Sequence, residues 1–76
     1  MPRTPQVSGR DVVNVLQRLG FSVVSQSGSH IKLRRSVGGE TKMVIVPDHR
    51  IVRKGTFHNI LRHAQISLGE FLRLLR

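Results

Sequence analysis

Cysteine is absent from this 76-residue chain, and so are tryptophan and tyrosine. Without cysteine there is no disulfide and no thiolate metal site, so the fold has to stand on packing alone. Three phenylalanines are the only aromatic residues of the Phe/Tyr/Trp class. Val, Ile and Leu must therefore build most of the core, and base recognition by aromatic stacking is poorly provided for. Acidic residues are scarce as well: four Asp and Glu stand against thirteen Lys and Arg, a formal net charge of +9 and a pI near 12. That balance favours anionic partners and says little about fold. No apolar run approaches the roughly 18 residues that a membrane span needs, and the cations are spread along the chain rather than gathered beside an apolar helix, so no membrane partner is expected. The opening Met1-Pro2-Arg3-Thr4-Pro5-Gln6 lacks the apolar stretch of a secretory signal. A cytoplasmic protein is the expectation.

The length suits one domain, residues 1–76, with one modest core. Residues 1–7, which hold two prolines, read as a loose leader. Ser8 then stands three residues before Asp11, the spacing of a capping box, and Val12, Leu16 and Leu19 follow at helical intervals up to a stop at Gly20. Phe21 to Gln26 is β-branched and alternating, with Phe21 and Val23 expected on one side. Ser27-Gly28-Ser29 reads as a turn, His30 to Arg35 as a second strand, Gly38-Gly39 as another turn, and Thr41 to Val46 as a third strand ended by Pro47. Past a polar loop at 48–53, Phe57, Ile60, Leu61 and Ala64 mark a helical face. Ser67 and Glu70 repeat the capping-box spacing before Leu68, Phe71, Leu72 and Leu75. The class is α+β, in the order α-β-β-β-α with a short C-terminal helix. A three-stranded antiparallel sheet is expected, with the helices packed on one face.

The run His30-Ile31-Lys32-Leu33-Arg34 has a period of two. Ile31 and Leu33 belong to the covered face, so His30, Lys32 and Arg34 belong to the open one. A histidine among cations on an open face suits a polyanion. Its unperturbed pKa lies nearest neutrality, so the ring can give or take a proton during phosphodiester cleavage. His49, in the Pro47-Asp48-His49 corner after the third strand, is the second acid–base candidate. Lys32, Arg34, Lys42 and Lys54 are the cations read as a phosphate track, with Arg35 and Arg53 beside them. His58 and His63, five apart on a helix, do not share a face and read as solvated. Histidines so scattered, without cysteine, predict no metal site and no cofactor.

Several motifs in this order carry a resemblance. They are Ser8-Gly9-Arg10-Asp11 through Leu19-Gly20-Phe21, Gly28-Ser29-His30 at the head of a strand, Val46-Pro47-Asp48-His49, Lys54-Gly55-Thr56 leading into Asn59-Ile60-Leu61, and Ser67-Leu68-Gly69-Glu70-Phe71-Leu72. Together they resemble the HicA family of bacterial toxins. The resemblance implies a double-stranded RNA-binding-domain-like fold, a metal-independent endoribonuclease (an mRNA interferase) with His30 as the catalytic residue, and an acidic HicB-like antitoxin as partner. The chain departs from the family pattern at Ser27, where a basic residue is common, and at Gln65, where glycine is common. Two other readings compete. One is a non-catalytic double-stranded RNA-binding module, which would use Arg53-Lys54 and have no need of His30. The other is a small basic protein that assembles on RNA.

Overall fold

The computed structural model describes residues 3–75, so Met1 and Pro2 of the expected leader and Arg76 lie outside the described residues. The elements are α1 (Gly9–Arg18), β1 (Ser22–Ser27), β2 (His30–Val37), β3 (Glu40–Pro47), α2 (Lys54–Ala64) and α3 (Leu68–Leu74). The strands form one antiparallel sheet in the order β1-β2-β3. This is the expected α+β arrangement.

Local chemistry sets the ends of the helices. At the start of α1 the capping box is complete. The Asp11 amide donates to Ser8 Oγ at 3.0 Å, and the Ser8 amide donates to Asp11 Oδ2 at 3.1 Å. At its end Gly20 takes φ +96°, which lets the Phe21 amide reach back to the Leu16 carbonyl and the Gly20 amide to that of Gln17. The same closure ends α2, but Gln65 is the residue at φ 59°, the one non-glycine with positive φ among the described residues. α3 keeps half of the expected capping box: Ser67 Oγ accepts from the Glu70 amide at 3.0 Å, without a return bond.

Both hairpins are closed by two-residue turns. Gly38 and Gly39 both have positive φ, and Val37 pairs with Glu40. Gly28 alone is positive in the other turn, and Ser27 pairs with His30. Such turns twist with their strands and hold the register. Along β2 and β3, Ile31 faces Val46 and Leu33 faces Val44, all four buried. They meet Val12, Val15 and Leu16 of α1 and Phe57, Ile60 and Leu61 of α2 on a single sheet face. Phe71 anchors α3 edge-to-face on Phe57, with centroids 4.9 Å apart. Burying that ring is worth about 1.5–3 kcal/mol and the ring pair ~0.5–1.5 kcal/mol more, enough to hold a helix too short to stand alone.

Two expectations fail. Val23 is 43% exposed rather than sharing the core with Phe21. The register slips between Val23 and Ser25, so a bulge at Val24 interrupts the alternation, and the whole of edge strand β1 is exposed. The end of the leader is also not loose: Val7 is buried, and its carbonyl accepts the Val52 amide at 2.8 Å.

Candidate functional site

His30 opens β2, directly after the Gly28-Ser29 turn, and is exposed. Across the sheet it faces Pro47 of β3 and Ser27 of β1. The open face is thereby ordered in rows. Serines 25 and 27 come from β1, His30, Lys32 and Arg34 from β2, and Pro47, Ile45 and Met43 from β3. His30, Lys32 and Arg34 share this face as expected. Lys42 does not. It pairs with Arg35, in register with Leu33 and Val44, and so falls on the helix-covered side at the far end of the sheet. Two like charges directly opposite each other gain nothing by pairing, and the Arg35 chain lies over Gly20 at the end of α1. Lys42 thus lies apart from the row of His30, Lys32 and Arg34.

The corner after β3 brings His49 to the same place. The Asp48 amide donates to the Ser29 carbonyl at 2.6 Å, tying the corner to the turn that precedes His30. The Gly9 amide donates to the His49 carbonyl at 2.8 Å, and a Cβ on Gly9 would run into the Pro47 carbonyl oxygen. Only glycine allows α1 to start so close to this corner. The Asp48 carboxylate is engaged by Arg10, whose Nε lies 3.1 Å from Oδ1, and by Gln26. The hydrogen bond from Arg10 and the charge of Asp48 push the Arg10 guanidinium above its ordinary pKa. That carboxylate therefore anchors the corner and does not hold His49. Among the described residues no side chain hydrogen-bonds to the rings of His30 or His49.

His30, Pro47, His49, Ile45, Ile51, Arg53 and Thr56 line one concavity of about 520 Å³. Ile45 and Thr56 continue into a second, of about 290 Å³, with Lys32, Met43, Asn59, Ile60 and His63. The two make a continuous groove between the edge of β3 and the flank of α2. The structure thus joins His30 with His49 and, further along, with Lys32. Arg34 lies one alternation beyond Lys32, and Lys54 sits outside this groove at the start of α2. Sequence reading missed Asn59 and His63 as groove residues. Their signal was a polar stripe at helical spacing beside the apolar stripe of Phe57, Ile60, Leu61 and Ala64. His58, taken as solvated, is exposed but hydrogen-bonded to Thr4 Oγ1 at 3.0 Å. No three His, Asp or Glu side chains converge as a metal site among the described residues.

Fold and groove define a small basic α+β domain whose histidines and cations meet in an open cleft at one edge of the sheet. The family is shown by comparison: the model of the HicA toxin of bacterial toxin–antitoxin pairs matches residues 9–66, and the chain belongs to that family. It is the toxin of a toxin–antitoxin pair, with an antitoxin as its partner. The matched span holds Gly28-Ser29-His30, the Pro47–His49 corner and Gly55-Thr56, and ends before α3. A comparison with curated proteins finds no matching sequence.

Proposed function

We propose that this toxin is an endoribonuclease that cleaves mRNA without a metal ion, using His30 as its principal acid–base group. RNA carries its own nucleophile. The 2′-hydroxyl loses a proton and attacks the adjacent phosphorus, the O2′–P bond forms, the P–O5′ bond breaks, and the departing 5′-oxygen takes up a proton. Two proton transfers and positive charge beside the crowded phosphate are sufficient. His30 carries out one transfer, and His49 is the candidate for the other. Arg53 and Lys32 supply charge within the groove, with Arg34 and Lys54 beyond its ends. The products are a 2′,3′-cyclic phosphate and a 5′-hydroxyl.

The observation that carries this reading is the shared cleft, in which His30 and His49 line one concavity with Arg53. The antitoxin, on this reading, is an acidic HicB-like protein that covers His30, and both proteins act in the cytoplasm. The test is cleavage of single-stranded RNA in EDTA beside His30→Ala. A positioned acid–base group contributes about 10²–10⁴-fold, so the variant should lose at least that much while keeping its fold, because the side chain is exposed. Undiminished cleavage by folded His30→Ala overturns the assignment. The alternative, a non-catalytic double-stranded RNA-binding module, draws on the exposed Arg53 and Lys54 at the start of α2. Tight duplex binding with no cleavage by the unmodified chain would decide for it.

A further inference from the structure

The groove does not end at Arg53. Ile51 and Arg53 also line a third concavity, of about 430 Å³, walled on its far side by the N-terminal segment. Three cations line it, Arg3, Arg53 and Lys54, and among the described residues no carboxylate does. Its volume lies within the range of about 300–1,000 Å³ usual for small-ligand sites.

The wall that carries Arg3 is held in place. Thr4 Oγ1 lies 3.0 Å from Nε2 of His58 on α2. Three residues on, Val7 is buried and its carbonyl takes the Val52 amide. A segment rich in proline, with little else to bury, is thus pinned across the chain to the helix that forms the groove. Neither Thr4 nor His58 lines the concavity of His30.

We propose that this concavity is a second phosphate-binding subsite, which seats the RNA backbone next to the bond positioned at His30. The inference rests on the ribonuclease reading of that histidine. An RNA strand carries one charge per nucleotide, so a strand with one phosphate beside His30 must send its neighbours along whatever groove continues from there. Arg53 stands at the junction and faces both concavities, and Arg3 and Lys54 meet the next phosphate. The strand therefore follows the line of α2 and β3, from Lys32 and His63 at one end to Arg3 and Lys54 at the other, rather than crossing the sheet toward Lys42.

The experiment measures binding of a labelled single-stranded RNA to the catalytically inert His30→Ala chain across a salt series. Adding Arg3→Ala or Lys54→Ala should weaken binding about five- to tenfold at low salt. Each should also flatten the dependence of log affinity on log salt by about 0.7. In chains that retain His30, the loss should appear in KM and be overcome by saturating RNA, because the contact holds ground and transition states alike. The pin gives a coupled readout: in a His58→Ala background, Arg3→Ala should cost little further. Unchanged affinity and slope for both substitutions overturn the subsite. So does a pattern in which they weaken only the complex with an acidic antitoxin, which would make the concavity a protein contact. If the chain with His30 fails to cleave RNA, the catalytic reading falls while the binding series still decides the subsite.

Discussion

Gln65 occupies a backbone conformation that suits glycine. It ends α2 at φ 59°, where its amide and that of Ile66 close the helix onto Arg62 and Leu61. The left-handed region costs a residue with a Cβ roughly 1–2 kcal/mol. Gln65→Gly removes that cost and gives some back as entropy of the unfolded chain, so a net gain of about 1 kcal/mol is expected. The urea midpoint should rise with an unchanged slope; an unmoved or lowered midpoint would mean that the side chain carries compensating contacts. At this scale His30 was the most legible site residue, because the Gly28-Ser29 turn and the alternation of Ile31 and Leu33 place it on the open face without knowledge of the rest. His49 could be named but not located, since its position depends on the Asp48 amide meeting the Ser29 carbonyl across the sheet. Arg53, Thr56 and His63 were harder still. Their place in the groove follows from how α2 lies along β3, which no local pattern encodes.

Strand register decides which cations can act together. Lys32 and Lys42 are chemically alike, yet the Gly38-Gly39 turn puts Lys32 opposite Ile45 on the open face and Lys42 opposite Arg35 on the other. Substituting Lys32 by Ala should weaken RNA binding and flatten its salt dependence by about 0.7, whereas Lys42→Ala should leave the slope within error. The effect of Lys32→Ala should be similar across RNA sequences, since phosphate contacts carry no base information. Equal effects from the two lysines would show that RNA wraps the sheet edge or reads only net charge. This register was legible in principle: with Gly38 and Gly39 as a two-residue turn, counting outward pairs residue 35 with 42. The β1 side was not, because the bulge at Val24 breaks the count and exposes Val23. The elements themselves were plain from the sequence, since capping residues, glycine turns and two clean periodicities agreed with one another.

Taken whole, the molecule joins a net charge of +9 to an open groove with apolar residues beside its cations. Met43, Ile45 and Ile51 are 39%, 54% and 56% exposed along the line of His30 and Lys32. RNA phosphates use the cations and make little of such side chains, whereas an acidic protein can use both. Carboxylates would stand where phosphates sit, and apolar contacts over Ile45 and Ile51 would exclude water around His30. The two kinds of contact should separate kinetically. Charge complementarity sets the association rate, which should fall steeply with salt, while the buried apolar contact sets the residence time and should respond weakly. Ile45→Ser and Ile51→Ser are therefore expected to speed dissociation with association nearly unchanged, and Lys32→Ala to slow association. Occlusion itself can be read by histidine modification mapped peptide by peptide, in the free toxin and in a saturated complex. His30 and His49 should be protected, while His58, which lines neither concavity of the groove and is bound to Thr4, should react alike in both. Full reactivity of His30 in the saturated complex would place inhibition elsewhere on the chain and leave the apolar edge of the groove unexplained.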